Sequence, residues 1–309
     1  MEYGLCCLFY KEPIKFKSYT YANIKKIEKE NGIKSARKKV TEIWKHNIKT
    51  LQQAINYCKN NDIKSYRVSS DLFPQFDKVI KDGIIEKSFL KTITKELSKI
   101  NSYDIILSMH PGQHVNIGSP NKDVVKNSIQ DLKYHFFVAK PLNCKEINIH
   151  IGGSYGDKKA SLKRFISNIK KYLTKKELNL ITIENDELNY SIKDTYETAK
   201  KLGIRCIYDI HHQRCFELKY PKDGNEKEYF KWAKETWKNY DYQRIHISTP
   251  RDGYTTQSKS RPHHDFINKN EFPDWILKIK NLHVDIEAKA KEIAIKKLQK
   301  DNLKKTEFK

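Results

Sequence analysis

The chain has few of the residues that interrupt or cross-link a fold. It contains only 11 Gly and 9 Pro in 309 residues, and no low-complexity linker, so we expect a single domain. Its six cysteines include no C-x-x-C pair, which argues against a thiolate zinc motif and a disulfide framework. No run approaches the roughly 20 apolar residues that a spanning helix needs, and Met1–Tyr10 lacks a basic leader. We therefore expect an intracellular protein in a reducing, cytosol-like compartment, with no membrane anchor or removed signal; a nucleus or a host compartment is left open.

Acidic residues are in deficit. The chain has 60 Lys and Arg against 38 Asp and Glu, which gives a net charge of +22. A surplus of this size favours binding to a polyanion through phosphate contacts and counterion release. The alternative is a compositional bias that leaves only a solvated basic surface. Charge thus indicates a nucleic acid as the partner without naming it, and no protein partner can be inferred.

Short apolar, β-branched runs alternate with longer segments of helical spacing. The predicted strands are Tyr3–Phe9, Ile63–Ser69, Asp104–Met109, Glu146–Ile151, Asn179–Glu184, Arg205–Ile210, Gln243–Ser248 and Leu282–Glu287. The predicted helices are Lys38–Asn60, Glu86–Ile100, Asp123–Val138, Ser161–Tyr172, Ile192–Leu202, Lys227–Trp237, Glu271–Lys280 and Lys289 to about Leu303. This alternation indicates a parallel sheet covered by helices. We predict an α/β fold, a (β/α)₈ TIM barrel spanning residues 1–309 as one domain, with a basic tail from about residue 296; an open doubly wound sheet is the alternative.

Six successive predicted strands end in residues that can bind metal ions. They are His110 and His114, then His150, Glu184 and Asp186, Asp209 with His211 and His212, His246, and finally Asp285 and Glu287. The carboxyl ends of barrel strands meet at one mouth, where active sites lie. Eight of the eleven histidines fall at these ends or in the following loops. Imidazoles and carboxylates together suit Zn²⁺ or Mn²⁺, and a glutamate can bridge two ions. A single such histidine would be an ordinary core or surface residue, whereas six strand ends in series predict a metal centre.

Three features near this mouth are consistent with phosphate binding. Gly152–Gly153 follows strand four and permits close backbone approach, although a tight turn needs the same residues. Lys158 opens the next helix, where backbone N–H groups and a lysine can meet an anion together; plain capping is the alternative. The loop Thr249–His264 carries Arg261 and is either a phosphate clamp or a solvated loop.

Seven segments, in order, resemble the UV damage endonuclease family, a set of metal-dependent barrel nucleases that nick DNA 5′ to a lesion. The resemblance extends from Tyr3 to about Glu292. The segments are Tyr66–Pro74, His110–Gln113, Asp131–His135, Asn148–Gly153, Glu184–Asp186, Asp209–His212 and Glu287–Lys289. One tripeptide would be weak evidence, but seven in order are specific.

The resemblance implies a metal site and a reaction. Carried over residue by residue, the family's ligands fall on His110, His150, Glu184, Asp209, His212, His246, His263 and Glu287, which coincide with the residues at the strand ends and in the loops that follow them. The implied cofactor is two or three divalent ions per chain, Mn²⁺ by family preference and Zn²⁺ as the alternative. The implied reaction is hydrolysis of a DNA phosphodiester 5′ to a UV photoproduct or another helix-distorting lesion, which starts excision repair. Its catalytic residues would be Glu184, Glu287, His110 and His246.

The implied partner is damaged double-stranded DNA. Arg67, Lys158 and Arg261 would hold phosphates in this interpretation. Gln113, His114 and one of Phe9 or Tyr155 would face the distorted bases. The protein would select damaged over intact DNA because a lesion has already weakened base pairing and stacking.

Departures from the family pattern concern lesion specificity more than hydrolysis. Many members have a lysine two residues before the strand-seven histidine that can be carboxylated and touch metal, whereas this chain has Arg244, which cannot be modified in that way. Gln113-His114 replaces the frequent Gln-Tyr. Gly4–Phe9 lacks the Tyr and Asn often seen near the first strand end, and Phe73–Lys78 contains no further histidine ligand.

Three other functions are compatible with parts of this pattern. An abasic-site endonuclease would keep the barrel and the metal ions. A sugar isomerase of the same barrel type would keep them as well, but the charge of +22 argues against a small neutral sugar. A non-catalytic, basic nucleic-acid-binding protein would bind with a steep salt dependence and hold no stoichiometric metal.

Overall fold

The protein is a closed barrel of parallel strands surrounded by helices. The computed structural model describes residues 1–307, with side chains to residue 302, and in this part of the chain eight strands pair in chain order until β8 closes on β1. The strands are β1 (Glu2–Cys6), β2 (Ser65–Val68), β3 (Ile106–Met109), β4 (Glu146–His150), β5 (Ile181–Glu184), β6 (Arg205–Asp209), β7 (Gln243–Ile247) and β8 (Leu282–Ile286). Each overlaps its predicted range, and the predicted (β/α)₈ barrel is confirmed.

The helices cover the outside of the barrel. They are α1 (Tyr21–Asn60), α2 (Phe76–Lys81), α3 (Lys87–Leu97), α4 (Lys122–Ala139), α5 (Lys158–Tyr172), α6 (Lys175–Leu178), α7 (Ile192–Leu202), α8 (Ile210–Glu217), α9 (Glu226–Glu235), α10 (Gln257–Ser260) and α11 (Lys291–Glu307). Within the described residues, none is both long enough and apolar enough to cross a membrane. The predicted basic tail begins inside α11, and residues 308–309 lie outside the described residues.

Two helix predictions need correction. The predicted helix Glu271–Lys280 is only a 3₁₀ turn, Asp274–Lys278. Pro273 stands directly before it and disfavours helical geometry in the preceding residue, and the backbone is extended again at Ile279. The first helical segment begins at Tyr21 rather than Lys38. Gly32, whose φ is 78°, interrupts its geometry, so α1 consists of two helices joined at a kink.

The barrel interior contains a layer of buried, charged side chains. Arg244 on β7 places Nη1 2.5 Å from Asp285 Oδ1 and Nη2 3.2 Å from Glu146 Oε2, and all three side chains are buried. Burial alone would raise the pKa of Asp285, but Arg244 and Arg67 hold it below its usual value. Gly4 makes room for this carboxylate, since a Cβ there would lie 2.1 Å from Asp285 Oδ1. The arginine at the departure from the family pattern is therefore an internal ion-pair partner.

His283 on β8 predicts acid sensitivity of the fold. Its Nδ1 lies 2.7 Å from Ser65 Oγ, and burial, together with Arg244, lowers its pKa from 6.5 to about 3. The unfolded chain therefore takes up a proton between these pH values that the folded protein does not, so this stability is present above pH 6.5 and is lost as the pH falls toward 3. Between pH 7 and pH 4, the free energy of unfolding of wild type should fall by about 3 kcal/mol more than that of His283→Asn, measured by urea denaturation. Equal losses in the two proteins would contradict this assignment.

Candidate metal centre

The strand ends bring the predicted metal ligands together at one mouth of the barrel. Each of them has a side-chain atom within 4.0 Å of another member of the set. The set is His110 after β3, His150 at the end of β4, Glu184 at the end of β5, Asp209 at the end of β6, His212 in α8, His246 in β7, His263 after α10 and Glu287 after β8.

Glu184 lies at the centre of this set. Its Oε1 is 3.0 Å from His150 Nε2 and 3.3 Å from His110 Nε2, and its Oε2 is 2.7 Å from His246 Nδ1. The neighbouring strand fixes the carboxylate, because Asn148 Nδ2 donates to Oε2 at 2.5 Å. Burial alone would raise the pKa of Glu184, but the surrounding imidazoles hold it well below its ordinary range. The carboxylate is therefore ionised and shared between several imidazoles.

Two overlapping groups of side chains can each hold an ion. His110, His150 and Glu184 form one, and Glu184, Asp209 and His246 form the other; within each group the ligand atoms lie within 4.8 Å of one another. The buried Asp209 Oδ2 and His246 Nδ1 make no hydrogen bond. His246 Nδ1 is close to Glu184 Oε2, yet the pair lies outside hydrogen-bonding geometry. Unpartnered donor atoms converging in this way fit a divalent cation, whose ligands are carboxylate oxygens and imidazole nitrogens.

The orientation of three histidines supports the same interpretation. Nδ1 of His110, His212 and His263 lies 2.8, 3.1 and 2.7 Å, respectively, from a backbone carbonyl oxygen. A carbonyl can only accept, so Nδ1 carries a proton in each ring, and Nε2 is the nitrogen that is left to bind an ion. Metal-binding histidines usually hold their second nitrogen in this manner.

Asp209 is the N-cap of the short helix α8, which is not among the predicted helices. Asp209 Oδ1 accepts from the backbone N–H of His212 at 2.7 Å and so caps α8 directly after β6. This cap brings the His212 ring over the mouth. Burial alone would lower the pKa of His212, but Asp209, Glu184 and Glu187 raise it to about 10. A cation that used this imidazole would therefore displace a proton.

Arg67 lies inside the barrel and not on the exposed surface of its mouth. Its Nη1 is 2.6 Å from Glu287 Oε1, and its Nη2 is 3.1 Å from Asp285 Oδ2 and 2.9 Å from His246 Nε2. The side chain is only 9% exposed. The expected phosphate contact is corrected to an internal ion pair, because the guanidinium already binds the carboxylates of Asp285 and of the predicted ligand Glu287.

The predicted base-facing residues lie in loops at the same mouth, with one exception. Gln113 and His114 are exposed after β3, and Tyr155 is 45% exposed after β4. Phe9, in contrast, is buried, with its ring 5.1 Å from that of Tyr57, so its expected base contact is wrong.

The residues on either side of Phe9 are exposed, as a base-contacting side chain would have to be. Leu8 and Tyr10 are 49% and 60% exposed in the loop that follows β1. Glu292 holds this loop by accepting from the backbone N–H groups of residues 10–12. The sequence shows three successive large side chains, Leu8, Phe9 and Tyr10, but does not show which of them is buried.

The two remaining basic residues already have acidic neighbours. Lys158 forms an ion pair with Asp194, and the start of α5 has an ordinary cap in which Asp157 Oδ1 accepts from Ala160 N–H at 3.0 Å. Arg261 Nε lies 2.8 Å from Glu187 Oε1. Both side chains remain more than a third exposed, so they can still reach a phosphate.

A closed (β/α)₈ barrel with buried imidazoles and carboxylates at its mouth defines a class of metal-binding barrel proteins. Comparison with known families narrows this class. The model of the family described as UV-endonuclease UvdE matches residues 1–308, and the chain therefore belongs to that family.

Individual relatives agree with this assignment. The UV DNA damage endonuclease of Nostoc sp. is 29% identical, over 96% of this chain and 89% of the relative. That of Clostridium perfringens is 32% identical, over 83% of this chain and 62% of the relative. The crystal structure of SacUVDE superposes with a TM-score of 0.80 at 25% identity and covers 98% of this chain and 99% of its own.

Proposed function

We propose that this chain is a metal-dependent UV DNA damage endonuclease that hydrolyses the phosphodiester 5′ to a UV photoproduct or another helix-distorting lesion. Membership of the family supports the endonuclease activity. The observation that carries the metal dependence is the buried Glu184 carboxylate, which belongs to both ligand groups. An ionised carboxylate surrounded by imidazoles, two of them held through Nδ1 by backbone carbonyls, is suited to cation binding.

The predicted ligands would divide between two ion positions that share Glu184. His110 and His150 would share one ion with Glu184, and Asp209 and His246 would share a second. The adjacent side chains that complete the set are His212, His263 and Glu287. When bound there, two or three divalent ions supply water activation and neutralise phosphoryl charge. Mn²⁺ suits this mixture of nitrogen and oxygen donors, and Zn²⁺ accepts the same donors.

The protein residues have separate tasks in this reaction. Asn148 holds the Glu184 carboxylate, and Arg67 holds that of Glu287, so both are fixed before DNA arrives. Fixing ligands in advance lowers the reorganisation that the reaction requires.

Contacts with damaged double-stranded DNA would come from the loops around the mouth. Gln113, His114 and Tyr155 would face the distorted bases, while Lys158 and Arg261 would meet phosphates, supported by a net charge of +22. A damaged base pair costs less to open, which favours lesions over intact DNA. All six cysteines are free thiols, consistent with action in a reducing compartment inside a cell.

The test is nicking of a duplex that contains one site-specific pyrimidine dimer, beside an abasic duplex and an undamaged one. With Mn²⁺ we expect a cut 5′ to the dimer that leaves a 3′-hydroxyl and a 5′-phosphate, and no cut after chelation or in undamaged DNA. Cutting of the abasic duplex alone would make the protein an abasic-site endonuclease. No cutting with any metal would favour a protein that only binds nucleic acid.

A further inference from the structure

His246 differs from its neighbours in how its second ring nitrogen is held. Its Nδ1 faces Glu184 and Asp209, at 2.7 and 3.8 Å, and is the nitrogen available to an ion. Its Nε2 receives a hydrogen bond from Arg67 Nη2 at 2.9 Å. An arginine can only donate, so Nε2 must carry the lone pair and the proton of the neutral ring must sit on Nδ1.

This tautomer is incompatible with metal binding at Nδ1. An ion needs the lone pair of Nδ1, and a neutral ring must then carry its proton on Nε2. Two donors, Nε2–H and the Arg67 guanidinium, would then face each other in a buried space. The contact with Arg67 must therefore be exchanged for a contact with an acceptor.

Asp285 supplies that acceptor. Its Oδ2 lies 3.7 Å from His246 Nε2, and the two residues are paired in register between β7 and β8. Its position is built into the fold, because Arg244 binds Oδ1 and the missing side chain of Gly4 leaves space for the carboxylate. A carboxylate that accepts the second N–H of a metal-binding histidine is a common support for such ligands.

We propose that Asp285 is a positioning residue of the metal centre, which accepts the Nε2–H of His246 when a divalent ion occupies Nδ1. The ring loses its proton at Nδ1 and gains one at Nε2, so it stays neutral. Arg67 gives up its contact with His246 and keeps those with Asp285 and Glu287. This inference rests on the metal site of the proposed function. In it, His246 Nε2 changes its hydrogen-bond partner from Arg67 to Asp285 when the metal binds.

The direct test is nuclear magnetic resonance of the full chain labelled with ¹⁵N-histidine, titrated with Zn²⁺, which is diamagnetic. Resonances of His246 are assigned by comparison with His246→Gln. Without metal we expect the proton on Nδ1, and with Zn²⁺ we expect it on Nε2. Zn²⁺ binding with Nε2 still unprotonated would overturn the inference and leave the metal site in place. Absence of Zn²⁺ binding would overturn both.

A pair of matched variants tests the role of the carboxylate. Asp285→Asn should weaken Zn²⁺ binding about 10- to 100-fold in competition with a chelator, because one amide oxygen cannot serve both Arg244 and His246. Glu146→Gln removes the same charge from the other side of Arg244 without touching His246, and it should keep Zn²⁺ affinity near wild type. Equal weakening in both variants would show a charge effect alone and contradict the proposal. If Asp285→Asn does not fold, the wild-type titration still decides.

Discussion

Glu184→Gln is expected to reduce nicking of dimer-containing DNA roughly 1,000-fold or more, since losing about 4 kcal/mol of metal-dependent stabilisation corresponds to that factor. Glu184 is the carboxylate common to both ligand groups, and it also contacts His150 and His246 directly. The substitution keeps the shape of the side chain but removes its charge. Bound Mn²⁺ measured by elemental analysis should fall together with the nicking rate, while affinity for DNA should change little.

The control is the same substitution at another buried glutamate of the barrel. Glu146 contacts Arg244 and Tyr242 and no predicted ligand, so Glu146→Gln should keep its metal and its nicking activity in the temperature range where it is folded. Circular dichroism of both variants separates loss of the site from loss of the fold. Full nicking by a folded Glu184→Gln protein would remove the shared-carboxylate assignment.

The barrel and the side chains of the candidate ligand set could be predicted from the sequence because both follow short-range rules. Strand runs of four to five residues, such as β4 and β5, are fully apolar on one face and end in His150 and Glu184. The rule that barrel strand ends share one mouth then places them together. The segment Glu271–Lys280 was predicted as a helix because its apolar residues have helical spacing, but Pro273 restricts the residue before it and only one 3₁₀ turn forms.

The roles of Arg67 and Asp285 were harder to predict, since they depend on contacts between strands far apart in sequence. The alternation of side chains along a strand places Asp285 on the same face as Glu287, and Arg244 on the same face as His246. That parity was a usable signal for their inward direction. It could not show that Arg67 from β2 reaches past β1 to these residues, because this depends on the closure of β8 on β1.

Arg244→Met is expected to lower the free energy of unfolding by about 3 to 5 kcal/mol, the range found when one partner of a buried ion pair is removed. Arg244 is fully buried and is held between the carboxylates of Asp285 and Glu146. Asp285 retains Arg67, and Glu146 retains a hydrogen bond from Tyr242. These remaining contacts place the expected loss toward the lower end of the range.

Arg244→Lys and a double variant separate charge from packing. Lysine keeps the positive charge but lacks the planar fork that reaches both carboxylates, so its loss in urea unfolding should be smaller than that of methionine. Arg244→Met combined with Asp285→Asn should be more stable than the sum of the two single losses predicts, since the second change removes the carboxylate that the first leaves underpaired. Strictly additive losses would mean that Arg244 stabilises the barrel by filling space, with its charge contributing little. A positive coupling would instead identify the ion layer beneath the metal centre as one electrostatic unit, in which no charge can be changed alone without cost.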